Sequence, residues 1–97
     1  MIEFEWDPEK TKANLRKHGV GFAEAGTVFR DPLGISVFDP DHSGEEDRYL
    51  TVGVSQQGRV IIVAHTDRGD KVRIISAREL TRAEREDYEK ELEDRTK

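Results

Sequence analysis

The stretch Val60-Ile61-Ile62-Val63-Ala64, with His65-Thr66-Asp67-Arg68-Gly69-Asp70-Lys71-Val72-Arg73-Ile74-Ile75-Ser76-Ala77-Arg78 behind it, decides the fold. Its first five residues are apolar on both faces of a strand, so a central position with both sides of the sheet covered is expected. Asp67-Arg68-Gly69-Asp70 reads as the hairpin to the next strand, and Gln56-Gln57-Gly58 as the hairpin from the previous one. Residues 35–38, 49–55, 59–65 and 71–77 are rich in Val and Ile and are expected to form an antiparallel meander. In the second of these, Leu50, Val52 and Val54 share one face, and Tyr49, Thr51 and Gly53 the other.

Upstream the period changes. Ile2, Phe4 and Trp6 alternate with Glu3 and Glu5, the pattern of a half-buried strand. Asp7-Pro8-Glu9 then supplies an N-cap, a proline at the first helical position and an acid in the first turn, while Gly19 stops the helix. Over residues 8–18, Thr11, Asn14, Leu15 and His18 share an unusually polar face, and Lys10 and Lys17 line up opposite. Phe22, Ala25, Gly26 and Phe29 repeat at helical spacing, which predicts a second, short helix before the turn at Asp31-Pro32-Leu33-Gly34. Downstream, Thr81-Arg82-Ala83-Glu84 has the form of a capping box and opens a helix to about Asp94, with Tyr88 and Leu92 as almost its whole apolar stripe. The expectation is one α+β domain over residues 1–97, with two helices before a small antiparallel sheet and one after it.

A chain of 97 residues buries only about 60 to 65% of its unfolded surface, so a thin core and a second domain's absence are expected. It has no cysteine, which removes disulfides, thiolate metal sites and cysteine nucleophiles. No run of 18 apolar residues and no signal-like opening occurs, so a cytoplasmic location without membrane contact is expected. The net charge of -5 is unevenly spread. Residues 39–47 hold five acids and no Lys or Arg, whereas residues 48–78 hold six Lys and Arg against two Asp. An acidic whole argues against indiscriminate coating of nucleic acid but leaves room for a local phosphate site.

Motifs exclude more than they assign. Asp39-Pro40-Asp41-His42-Ser43-Gly44 mimics the start of a calcium loop, yet the position that needs a bidentate glutamate is Leu50, so a solvated turn is expected and no metal. His18, His42 and His65 lack zinc-enzyme spacing, and phosphate-loop, dinucleotide and nucleophile-elbow signatures are missing. What remains is the arginine set Arg68, Arg73 and Arg78. Guanidinium groups donate paired hydrogen bonds to phosphate and keep their charge at any relevant pH. Metal-free RNA cleavage needs such donors, with other groups to deprotonate a 2'-hydroxyl and protonate the 5'-oxygen. Ordinary ion pairing of Arg73 with Asp70 and Arg78 with Glu84, a core role for Tyr88 and a capping role for His18 explain the same residues structurally.

The pattern as a whole resembles a known family. Phe4-Glu5-Trp6-Asp7, Lys10, Asn14, Lys17-His18-Gly19-Val20, Phe22-Ala23-Glu24-Ala25, Phe29, Asp31, Arg73-Ile74-Ile75-Ser76-Ala77-Arg78, Glu84-Arg85 and Tyr88 are similar to the BrnT toxins of type II toxin–antitoxin systems. Gly21 stands where that family often has Ser. The resemblance implies a RelE-like fold, RNA cleavage that inhibits translation, and neutralisation by a BrnA-like antitoxin in a higher-order complex that binds DNA through the antitoxin. No cofactor is implied. It further implies catalytic roles for Arg68 and Arg78 on the scissile phosphate, with His18 and Glu84 beside them, and RNA contacts from Lys10, Lys17, Arg48, Arg73 and Tyr88. A non-catalytic binding module acting through its antitoxin stays open at this point. The nuclease reading leans on the Arg68 and Arg78 guanidinium groups converging on a single ribose-phosphate linkage beside an open cleft.

Overall fold

The computed structural model describes residues 2–95, so position 1 and the last two of the 1–97 span lie outside it. The elements are β1 (Glu3–Glu5), α1 (Pro8–His18), α2 (Phe22–Thr27), a single 3-10 turn (Val28–Arg30), β2 (Ile35–Asp39), β3 (Arg48–Val54), β4 (Val60–Arg68), β5 (Lys71–Glu79) and α3 (Arg82–Arg95). The strands form one sheet in the order β1-β5-β4-β3-β2. Strands β2 to β5 run antiparallel to their neighbours. The sheet is nonetheless mixed rather than wholly antiparallel, because β1 pairs in parallel with β5, Glu3 opposite Lys71 and Glu5 opposite Arg73. A long connection through α1, α2 and three strands brings the chain back beside its start, which is what a parallel neighbour needs.

Local chemistry sets the helix ends. The Asp7 carboxylate accepts from the Glu9 N–H at 2.8 Å, Pro8 opens α1, and the Gly19 N–H closes it on the Leu15 carbonyl. The polar face of α1 works as a latch. Asn14 is buried; its amide nitrogen donates to the carbonyls of Val20 (2.8 Å) and Ala77 (2.7 Å), and its oxygen accepts from the Ala77 N–H at 3.2 Å. Thr11 accepts from the Phe22 N–H at 2.9 Å, which sets the start of α2. One face of the sheet is thereby roofed by α1 and α2. Val20, Phe22, Ala25, Val28, Ile61, Val63, Ile74 and Ala77 form the core, with Phe4, Trp6 and Phe29 packed against it. Each such aliphatic side chain contributes about 1.5 to 3 kcal/mol when fully removed from water.

Strand β3 faces the opposite way from what its apolar residues suggest. Thr51 and Gly53 point into the core, while Leu50 and Val52 are half-buried and Val54 is exposed on the other side. The cause is close packing of the 3-10 turn: a Cβ on Gly53 would lie 3.0 Å from Val28 Cγ1 and 3.2 Å from the Val28 carbonyl oxygen. The Thr51 hydroxyl is satisfied by His65 Nε2 and Ser36 Oγ, each at 2.7 Å. Strand β4 is central, as its sequence implies, but only one of its faces is roofed. Ile61 and Val63 are fully buried, whereas Ile62 and Ala64 are half-buried and floor an open surface. Arg68 also lies within strand β4, opposite Lys71, leaving only Gly69 (φ 63°) and Asp70 to make the turn.

Helix α3 is held through few side chains, among them Glu84, which takes the Arg78 guanidinium. Tyr88 is its buried residue, and Arg95 Nη1 reaches the Leu33 carbonyl at 3.4 Å. Among the described residues no helix is long and apolar enough to cross a membrane.

Candidate active site

Register places the charged side chains. The pairings Asp39 with Arg48, Arg48 with Thr66, Thr66 with Arg73, and Arg73 with Glu5 make one transverse row across all five strands. Side chains in a row share a face. This row lies on the unroofed face, and its arginines are flanked at both ends by carboxylates. Two residues along comes Leu50-Ala64-Ser76, and two further Val52-Ile62-Arg78. A bulge at Ala64/His65 leaves Ile75 as the extra residue of β5, so Ile74 faces the core beside His65 while Ile75 and Ser76 both reach the open side.

Two adjoining depressions occupy this face. One, of about 390 Å³, is lined by Lys10, His42, Gly44, Glu45, Glu46, Arg48, Thr66, Arg68, Arg73 and Ile75. The other, of about 330 Å³, is lined by His18, Asp39, His42, Arg48, Leu50, Ile62, Ala64, Ser76, Ala77 and Arg78. His42 and Arg48 belong to both and form the wall between them. The Thr66 hydroxyl, buried in the floor of the first, has no hydrogen-bond partner among the described residues.

The arginines are held, not free. Arg68 forks onto Glu46 at 3.0 and 2.8 Å and approaches Glu5 at 3.7 Å; Arg73 lies 4.0 Å from the same Glu5 rather than on Asp70. The Arg68 hydrogen bonds hold the Glu46 carboxyl below the ordinary carboxylate range. Arg78 forks onto Glu84 at 2.7 and 2.9 Å. That fork, together with the Thr81 backbone, brings Glu84 down to about 2. All four of these side chains are one-third exposed or more, so water and other anions reach them. At the opposite end of the sheet Arg59 binds Glu24, Glu79 and the Gly19 carbonyl, a brace between strand and helices that takes no part in the face.

The face therefore gathers Arg68, Arg73, Arg48 and Lys10 in one depression, and Arg78 and His18 in the other, with Glu84 behind Arg78. Arg68 and Arg78 do not converge on one phosphate. Arg78 pairs with Ile62, six residues from Arg68 along strand β4, a span of about 20 Å at 3.3 Å per residue. They share a face but line different depressions. Lys17 is exposed on α1 and lines neither depression. Tyr88, expected at the RNA surface, is buried instead; its phenol has no hydrogen-bond partner among the described residues, and burial pushes its ionisation up.

His42 is the residue that spacing alone could not find. In the sequence it is one member of an acidic loop, and only the β2–β3 pairing swings that loop over the sheet. Its Nδ1 lies 2.8 Å from Asp39 Oδ2. His65 is different: it is buried, bound through Nε2 to Thr51 and through Nδ1 to Asp67 at 3.2 Å, and burial holds its pKa below the usual histidine value. Among the described residues no group of three His, Cys, Asp or Glu side chains could hold a metal ion.

Comparison with known proteins bears on this surface. The model of a family described as the ribonuclease toxin BrnT of type II toxin–antitoxin systems matches residues 6–84. The crystal structure of the ribonuclease toxin BrnT from Brucella abortus is similar in fold, with a TM-score of 0.62 and 21% identity, covering 84% of this chain and 100% of that one. None of the curated proteins matches the chain in sequence.

Proposed function

Because the chain belongs to the BrnT family of ribonuclease toxins of type II toxin–antitoxin systems, we propose that it cleaves RNA on the open face of its sheet, and does so without a metal ion. The observation that carries this reading is the row Arg48-Thr66-Arg73, with Arg68 beside it and Arg78 in the next depression, on the one sheet face that the helices leave uncovered. Fixed guanidinium groups do for a phosphorane-like transition state what a metal ion does elsewhere: they meet the extra negative charge with preorganised donors. The nucleophile is the substrate's own 2'-hydroxyl. Lys10, Arg68 and Arg73 hold the backbone in the first depression, and Arg78 and His18 hold it in the second. Glu84 orients Arg78.

A type II toxin has a protein antitoxin as its partner. We take that partner to be BrnA-like and the complex to contact DNA only through it. The sheet with helices on one face is read as RelE-like, and RNA cleavage as the route to arrested translation. One observation favours a second reading, a non-catalytic module that works only through its antitoxin: Glu46 and Glu84 already occupy the forks of Arg68 and Arg78.

One experiment separates the two readings. Purified protein is incubated with RNA in excess EDTA, and the fragment ends are identified. Products ending in 2',3'-cyclic phosphate or 3'-phosphate are expected; full dependence on added divalent metal overturns the mechanism, and intact RNA with no growth arrest on expression favours the binding module. Arg68→Ala and Arg78→Ala should each weaken RNA binding, and with it cleavage at low RNA concentration, and lower the slope of log affinity against log salt by about 0.7. If both variants arrest growth like the wild type, the face is not the site.

A further inference from the structure

The wall between the two depressions carries a histidine and carboxylate pair whose geometry suits proton transfer. Asp39 ends strand β2 opposite Arg48, and its side chain is only 13% exposed, whereas that of His42 is 68% exposed. The loop between them is pinned: Ser43 Oγ donates to the Asp39 carbonyl at 2.7 Å and accepts from the Arg48 N–H at 2.9 Å. An ionised carboxylate only accepts hydrogen bonds, so the 2.8 Å contact with Asp39 places the ring proton on Nδ1. Nε2 has no hydrogen-bond partner among the described residues, and the ring lines both depressions. A carboxylate that fixes both ring orientation and tautomer is the arrangement general bases use.

The other histidines do not fill this place. His65 has both nitrogens engaged inside the protein, and His18 lines only the second depression. Of the described histidines, His42 is the one that lines both depressions. The charged residues around it on the loop and β2–β3 are Asp39, Asp41, Glu45, Glu46, Asp47 and Arg48, of which Asp39, Glu45, Glu46 and Arg48 line the depressions. Lys10, Arg68 and Arg73 face it from one side, His18 and Arg78 from the other.

We propose that His42 is the catalytic general base of RNA cleavage and that Asp39 is its positioning residue. The inference rests on the ribonuclease reading above. Nε2 takes the proton of the ribose 2'-hydroxyl as the 2'-oxygen forms its bond to phosphorus. The bond from phosphorus to the 5'-oxygen breaks, and that oxygen leaves with a proton from solvent. The imidazolium returns its proton to solvent, so a 2',3'-cyclic phosphate and a 5'-hydroxyl are the balanced products. Arg48, on the same wall, faces the charge that develops on the phosphoryl oxygens.

The test uses the full chain, a fluorescent RNA oligonucleotide in EDTA under single-turnover conditions, and a 2'-O-methyl version of the same oligonucleotide for affinity. His42→Ala and His42→Gln should slow cleavage about 100- to 10,000-fold while binding the 2'-O-methyl strand within about threefold of wild type. Added imidazole should partly restore His42→Ala, and the acid limb of the wild-type rate profile, which rises as Nε2 loses its proton, should vanish in both variants. Asp39→Asn should retain affinity, slow cleavage roughly tenfold and displace that limb. If the His42 variants cleave within about threefold of wild type, or lose rate only in proportion to affinity, the base assignment is overturned and the ribonuclease reading stands. If the wild type itself cleaves no RNA, both fall.

Discussion

Glu84 grips Arg78 and caps its own helix with one carboxylate. Its oxygens accept from Arg78 Nη1 and Nη2 at 2.7 and 2.9 Å, one of them also accepts from the Thr81 N–H at 2.9 Å, and Thr81 Oγ1 accepts in return from the Glu84 N–H at 3.2 Å. The orientation of an arginine in the cleft is thus tied to the first turn of α3.

That tie predicts a pH signature. The folded carboxyl of Glu84 is held at about 2 against 4.5 when unperturbed, so its stabilisation is complete above pH 4.5 and is lost as pH falls through about 2. Glu84→Gln should cost about 1 to 2 kcal/mol at neutral pH, a modest figure because the pair is more than one-third exposed. Thermal melts of variant and wild type should differ at pH 6 to 7 and converge near pH 2 to 3, the window these values set.

Glu46 holds the Arg68 fork that a phosphate would use. Glu46→Gln keeps the shape and removes the charge, so single-stranded RNA should bind about two- to fivefold more tightly at low salt. The slope of log affinity against log salt should steepen by about 0.7 if Arg68 then neutralises one more phosphate. Fluorescence anisotropy from 50 to 200 mM salt measures both; an unchanged slope means that RNA does not reach Arg68.

Asn14, the buried residue of α1, links that helix to β5 through Ala77. Asn14→Ala leaves the Val20 carbonyl and both backbone groups of Ala77 without that partner, and should destabilise by roughly 2 to 4 kcal/mol in urea titration. Leu15→Ala, one residue on but 55% exposed, should cost little.

His65 is neutral in the folded chain because burial opposes its charge more than Asp67 favours it. The unfolded state therefore binds more protons, and folding stability should rise with pH across the range where a free histidine titrates. His65→Phe keeps an aromatic ring against Phe29 and Tyr49 and should flatten the dependence of melting temperature on pH between 5 and 7.

Elements with strong local signals were legible in the sequence. Asp7-Pro8 and Gly19 bound α1, Thr81 and Glu84 open α3, and the Val- and Ile-rich runs are strands, because caps, turns and side-chain alternation are decided by neighbours in the chain. What depends on distant contacts was not. Whether Leu50 or Thr51 faces the core follows from the 3-10 turn pressing on Gly53, and the parallel seat of β1 follows from the path of everything between. The arginines could be nominated by residue chemistry, but their division between two depressions depends on the bulge at Ala64/His65 and on pairings across β3, β4 and β5. His42 stayed hidden for the same reason, since an exposed loop histidine has no period to betray it.

The parallel seam between β1 and β5 bears on the order in which the open face is completed. Joining Glu3 to Lys71 closes most of the chain into one loop, a non-local event that slows folding. Arg73 and Arg78 travel on β5 itself. Until β5 is placed, the open face lacks both guanidinium groups and α1 lacks the Ala77 backbone that holds Asn14, so one strand completes the helical roof and the arginine row together.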